Sequence, residues 1–323
     1  MIASGHLFSF RHSLCCFRIA LLLSVLGFQA CSQRDLCYDH SHKVPVEIVF
    51  DWSLAPDADP STMVVWFFPV DGSKGLRFEL TADGVPSRGG FDAVLRVPEG
   101  TYTMACHNGN TDYNVERGTD IFSYALTTYD VEVLSAMNRS QNAPLPDGTD
   151  NQAVRKEASR LYAHTHDTPL TVANDAGRTH RVVFKPAEST IECDVRITNV
   201  QNLNPDIEVS AILTGASEAW NVATQSASDV AVSVPFALEH CGSDCLKGSV
   251  TLFGFADMPH KLRVYTSYKY YYDFDVSEQI RTQEGHPVID ITLTGIKLPA
   301  SPASGMTPGV DEWGETHEEV LPM

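Results

Sequence analysis

LRVYTSYKYYYDFDV, residues 262–276, decides the fold class. Leu262, Val264, Tyr268, Tyr270, Tyr272, Phe274 and Val276 occupy one parity, while Arg263, Lys269, Asp273 and Asp275 occupy the other together with Lys261 just ahead of the stretch. A period of two means side chains that alternate across a strand, one face in a core and the other in water. A slip of one residue would bury the charges, so the register is strongly set. This pattern predicts a strand with Tyr268, Tyr270 and Tyr272 inward and only Tyr265 and Tyr271 outward. The tyrosine row is therefore core packing rather than a carbohydrate platform.

Working outward, the same period recurs wherever apolar residues cluster. On the C-terminal side HPVIDITLTGIKLP supplies a closing strand. Beyond it, SPASGMTPGVDEWGETHEEVLPM starts as a linker and ends in an acidic segment with Trp313 and Val320, either a free terminus or a last strand docked on its own sheet or a partner's. On the N-terminal side lie STIECDVRITNV, DIEVSAILTG and ASEAWNVATQ. Further up, VPVEIVF, TMVVWFFP, LRFEL, AVLRV and TYTMAC are separated by the turn-rich segments DGSKG, ADGVPSRGG and PEG. TMVVWFFP is an almost unbroken apolar run, as expected of a strand buried on both sides or under a loop. Residues 108–155 are less regular and read as long loops around short strands. No stretch after the first thirty residues has sustained helical periodicity, so the chain is all-β, and hairpin-linked strands at this spacing point to sandwiches. We place a domain boundary near Ala187, giving an N-terminal domain at 44–187, a C-terminal domain at 188–298, and a linker with a possible last strand at 299–323.

The first thirty residues have a different character. Arg11, His12 and Arg18 precede the apolar run Ile19 to Phe28, and no acidic residue occurs before Asp35. That is the layout of a secretory signal, here residues 1–30. The run is too short to span a bilayer, and no later segment is long enough either. In LGFQACSQRD, Cys31 stands where a lipoprotein signal is cut, with Ala30 ahead of it and a polar tether, residues 31–43, behind it. We read Cys31 as the lipidation site. Several acyl chains at about 0.8 kcal/mol per buried methylene make a stable membrane anchor.

Composition narrows the partners. The chain carries 23 basic and 41 acidic residues, a formal charge of −18. Removing residues 1–30 takes away Arg11 and Arg18 and no acid, leaving 21 basic against 41 acidic, about −20. Such a surface repels nucleic acid, which is excluded as a partner. Of eight cysteines, Cys15 and Cys16 leave with the signal and Cys31 is assigned to lipid, so five remain and cannot all pair. Cys106 in TYTMAC and Cys193 in IECDVRI fall on the apolar parity of strands and read as small core residues. Cys241 and Cys245 in HCGSDC are close enough to bridge, which an exported compartment permits and geometry decides.

No constellation names an enzyme. A G-x-S-x-G elbow, H-E-x-x-H, a P-loop and a dinucleotide fingerprint are all missing from the sequence. The pairs His40 with His42 and His164 with His166, and His240 beside Cys241 and Cys245, lack a third ligand at metal spacing and read as solvated loop histidines. Asp71, Asp83, Asp147 and Asp150 sit near glycines as turn formers, without the calcium-loop pattern. We therefore expect no catalytic residue, no metal and no cofactor.

The order of a lipoprotein signal, CYDH, VEIVFDWSLAPDADPSTMVVWFFP, VPEGTYTMACHNGN, IECDVRITNV, AILTGASEAWNVATQ with a later PFAL, and GVDEWGETHEEVLPM resembles the fimbrillin-like lipoproteins of Bacteroidales, within them an uncharacterised two-domain group. The resemblance implies two tandem transthyretin-like β-sandwich domains with Greek-key connections, an outer-membrane lipoprotein route, and a role in adhesion or pilus assembly. In the polymerising members a trypsin-like protease removes the first strand, and a strand from another subunit fills the groove. Here no Arg or Lys lies between Lys43 and Lys74. A cut at Lys43 would release the lipid without opening a groove. The expected function is thus a non-enzymatic, surface-exposed accessory or anchoring subunit, or a free-standing lipoprotein, meeting other fimbrial subunits or host or glycan surfaces. The alternative is a glycan-binding lipoprotein of a polysaccharide-uptake system, for which Trp52, Trp220 and Trp313 clustered at one tip would be the sign.

Overall fold

The computed structural model describes residues 43–82, 90–140, 143–174, 179–299 and 313–315. Among them the first half of the chain forms β1 Lys43–Phe50, β2 Thr62–Pro69, β3 Leu76–Thr81, β4 Ala93–Pro98, β5 Gly100–Gly109, β6 Val115–Arg117, β7 Ala125–Thr127, β8 Ala153–Val154, β9 Tyr162–Thr165, β10 Leu170–Val172, β11 His180–Phe184 and β12 Ala187–Glu188. The second half forms β13 Ile191–Thr198, β14 Val209–Ser217, β15 Ala219–Asn221, β16 Ser226–Ala227, β17 Ala231–His240, β18 Leu246–Leu252, β19 Lys261–Thr266, β20 Tyr270–Asp275, the short helix α1 Ser277–Arg281, β21 Val288–Thr294 and β22 Gly314–Glu315. The chain is all-β, with β-sandwich cores.

The first core lies between two sheets. In one, β1 runs in the middle, parallel to β11 and antiparallel to β4. The other has the order β12-β9-β5-β2-β3, with β10 also paired to β5. Val44, Val46, Ile48 and Phe50 of β1 meet Met63, Val65 and Phe67 of β2 and Met104 and Cys106 of β5. Alternation alone accounts for β1. In β2 every residue from Thr62 to Phe68 is buried, because Val64, Trp66 and Phe68 pack on the other side against Ala105, Ile121, Tyr124 and Val222.

The second core has the same plan: its first strand, β13, is parallel to β21 and antiparallel to β18. The facing strands run β17-β14-β19-β20. β17 and β18 bond to each other only at Glu239↔Lys247 and His240↔Leu246, beside the turn that joins them, so the nine-stranded sheet folds over at that corner. Cys193, Val195, Leu213, Phe236, Val264 and Ile291 are among the side chains enclosed.

Two features differ from the sequence-based expectation. LRVYTSYKYYYDFDV is a hairpin, β19 and β20, in which Val264 faces Tyr272 and Tyr265 faces Tyr271. Paired residues share parity, so the alternation runs through the turn unbroken; Lys269, at φ 63°, makes that turn. Secondly, Tyr265 is buried, not outward, and Arg263 is buried with it. Leu134, Met137 and Leu145 cover the face taken to be wet. Residues 108–155, expected as long loops around short strands, hold the short strands β6, β7 and β8 and the covering segment just named. β6 and β7 join β15 and β16 in a four-stranded sheet drawn from both halves of the chain.

Candidate interaction surface

β1 is locked from three sides. Its backbone bonds to β4 and β11, and its apolar parity is sealed in the first core. Phe50 stacks on Phe184 and Trp52, and the Phe50 amide donates to Asp92 at 3.1 Å. The next basic residue after Lys43 is Lys74, beyond β2. A cut there would remove β2 along with β1, and β2 is central to both flanking clusters.

At the other end of the chain, Trp313 rests edge-on against Tyr265, ring centroids 5.6 Å apart. Gly314–Glu315 pairs in parallel with Tyr270 and Tyr271 of β20. Among the described residues of the tail, 313–315 lie on the chain's own sheet.

The three tryptophans named from the sequence sit in different clusters. Trp52 packs with Phe50 and Tyr162, Trp220 against Leu126, Phe253 and Val222, and Trp313 on Tyr265. All three are partly buried. Cys241 and Cys245 are disulfide-bonded at the β17–β18 corner. Cys106 and Cys193 are free and buried; desolvation pushes the Cys193 thiol up to about 12, leaving it a thiol. Cys31, with His40 and His42, lies outside the described residues.

His164 and His166, expected as solvated loop histidines, are half-buried, His164 on β9 and His166 just after it. Their rings meet edge-to-face with centroids 5.0 Å apart, and both make edge contacts with Phe184, because β9 runs beside β5 over the first core. Burial holds both below the usual imidazole range. Among the described residues no three His, Cys, Asp or Glu side chains are grouped to hold a metal.

One polar network was invisible in the sequence. His107, buried on β5, bonds through Nδ1 to the Asn108 carbonyl at 2.8 Å and through Nε2 to the Tyr124 hydroxyl at 2.7 Å. A carbonyl only accepts, so Nδ1 carries the proton and Nε2 accepts from the tyrosine. Desolvation lowers the His107 pKa and raises that of Tyr124. Glu116 of β6 lies 3.9 Å from Nε2 and takes a forked bond from Arg77 of β3. No spacing rule joins residues on three strands and a loop.

Residues 30–237 match a family model described as a domain of unknown function, DUF5119. The chain belongs to that family. No curated protein sequence matches it. Solved structures share its fold. A candidate adhesin from Bacteroides ovatus is 17% identical with a TM-score of 0.60, over 84% of this chain and 98% of the other. A candidate polysaccharide-binding protein from Bacteroides thetaiotaomicron is 11% identical with a TM-score of 0.50, over 79% and 91%. The fimbrial anchor protein Mfa2 from Porphyromonas gingivalis is 15% identical with a TM-score of 0.48, over 78% and 90%. This member of the DUF5119 family therefore shares the fold of the candidate adhesin from Bacteroides ovatus and the candidate polysaccharide-binding protein. Among its described residues no helix is long and apolar enough to cross a membrane.

Proposed function

We propose that this protein is a non-enzymatic, fimbrillin-type surface lipoprotein, held at the outer membrane by acylated Cys31 and serving as an accessory or anchoring subunit through protein–protein contacts. The observation that carries the reading is the state of β1. It is bonded on both edges, and no basic residue separates it from β2. A trypsin-like protease thus has no way to vacate the β1 groove while sparing β2, so the chain is unsuited to be a repeating shaft subunit. Docking of Trp313 and β22 on β20 supports the same conclusion, since that edge is occupied by the chain itself.

The test is limited digestion of the purified chain by a trypsin-like protease, followed by denaturing electrophoresis. We expect no detergent-resistant ladder of multimers. A regular ladder would overturn the accessory reading. The anchor is tested separately by intact mass and membrane partition of the natural chain and Cys31→Ala; an unmodified Cys31 on a released protein would remove it. The glycan-uptake alternative gains nothing from Trp52, Trp220 and Trp313, each committed to its own cluster.

A further inference from the structure

We propose that the cleft between Lys43, Lys74, Arg77 and Arg96 binds an acidic saccharide, a sugar bearing uronate or sulfate groups. The site goes beyond the subunit role argued above and does not depend on it. Lys43 opens β1 and Arg96 lies on β4, while Lys74 and Arg77 belong to β3 and the turn before it. β4 and β3 are edge strands of the two sheets enclosing the first core, and the cleft lies on that side. Its volume is about 680 Å³, inside the roughly 300–1,000 Å³ of small-ligand sites.

The lining has an unusual balance for so acidic a chain. Four cations face one carboxylate, Glu116, in a protein of formal charge −18. Glu116 is itself taken by Arg77 at 2.8 Å, and Arg77 also holds Glu79 at 2.9 Å. Among the described residues Lys43, Lys74 and Arg96 have no carboxylate within ion-pair distance, so their charge is available to a ligand. By contrast, the cavity of about 710 Å³ beside α1 sets Asp229, Asp257, Asp275 and Glu284 against Arg281.

The chemistry between the cations selects the ligand class. Leu76, Phe78 and Pro98 line the cleft as half-buried apolar surface. A ligand that suits both must carry anionic groups on a body with apolar C–H faces, which describes an acidic sugar. An anionic bilayer is disfavoured, because its extended surface meets the field of the whole acidic molecule. A single oligosaccharide in the cleft feels chiefly the charges within a Debye length, about 8 Å at physiological salt.

The experiment is calorimetric titration of the mature chain carrying Cys31→Ala with oligogalacturonate and with chondroitin sulfate oligosaccharides, neutral dextran oligomers, a poly-glutamate peptide and anionic vesicles serving as comparisons. At least one acidic saccharide is expected to bind saturably, several-fold more weakly at high salt, while the neutral sugar does not. The double variant Lys74→Ala/Arg96→Ala should lose at least tenfold in affinity with an unchanged unfolding midpoint, and Arg281→Ala should lose none. Equal binding of neutral sugar, equal or tighter binding of poly-glutamate, capture by vesicles alone, full affinity in the double variant, or no saturable binding of either acidic saccharide would each overturn the proposal. Because the protein is soluble and undigested here, these outcomes are independent of the anchor and protease tests.

Discussion

Arg263 shows how much one buried charge can organise. Its side chain is 2% exposed and forms a forked ion pair with Asp273 of the neighbouring strand. It also donates to the carbonyls of Pro144 and Leu145, at 3.0 and 2.8 Å, and its guanidinium lies over Tyr271, 4.0 Å from the ring centre. Truncating this one side chain removes the ion-pair partner of Asp273 and the donor to the Leu145 carbonyl, while the Pro144 carbonyl keeps only the Tyr265 hydroxyl. Arg263→Ala should therefore cost about 3–5 kcal/mol in urea unfolding, the size seen when one partner of a buried pair is removed. The double replacement Arg263→Met/Asp273→Leu should recover much of that loss, since an apolar pair leaves no charge unpaired.

Four buried or half-buried histidines set a pH dependence at the same scale. His107, His164, His166 and His260 are all held below the unfolded value of 6.5, chiefly by desolvation. Below pH 6.5 the unfolded chain binds protons that the folded chain refuses, so folding stability is complete above that pH and falls as the solution is acidified. The urea midpoint should drop between pH 6.5 and 5, ahead of the carboxylates. His107→Gln should flatten part of that slope, and a midpoint constant across this window would show that the histidines protonate freely in the fold.

At the scale of elements, the β17–β18 corner is the point where the nine-stranded sheet folds over. The disulfide between Cys241 and Cys245 closes a loop with a sequence separation of 4. Chain entropy grows with loop length, so a loop this short contributes about 2 kcal/mol. Reduction should lower the unfolding free energy by about that much, read as a shift of the urea midpoint, and leave the fold intact, because Cys241 also donates its amide to the Cys245 carbonyl at 2.9 Å. Unfolding on reduction would mean that the sheet depends on the corner far more than its pairing suggests.

At the scale of the whole molecule, the two cores are tied by elements that cross between them. β7 pairs with β15, β8 runs parallel to β17, and Gln152 accepts from both the Gly215 amide and the Ser233 hydroxyl. Arg155 bonds to Glu218 at 2.7 Å and to the Thr128 carbonyl at 3.1 Å. Residues from Lys43 onward form one compact unit. We therefore expect one calorimetric transition, with calorimetric and van't Hoff enthalpies in agreement. Residues 188–299 expressed alone should be less stable than in the full chain, since they would expose Ile212, Tyr265 and Arg263. Two well-separated transitions would show that the crossing elements carry little coupling.

The sequence by itself determined the strand class, the inward parity of β1, β13 and β21, and the burial of Cys106 and Cys193, because alternation is a local property of an extended backbone. It also carried the resemblance that the family match and the shared fold bear out. Only the tertiary structure decided that residues 262–276 turn back on themselves, since a hairpin whose paired residues share parity is indistinguishable from one long strand. It alone decided that Tyr265 and Arg263 face protein, as the carbonyls that cover them lie 118 or more residues away in the chain. The same holds for the network of His107, Tyr124, Glu116 and Arg77 and for the cleft of Lys43, Lys74 and Arg96. Periodicity reports which side of a strand is apolar; what lies against that side is set by contacts distant in sequence, and those exist only once the chain has folded.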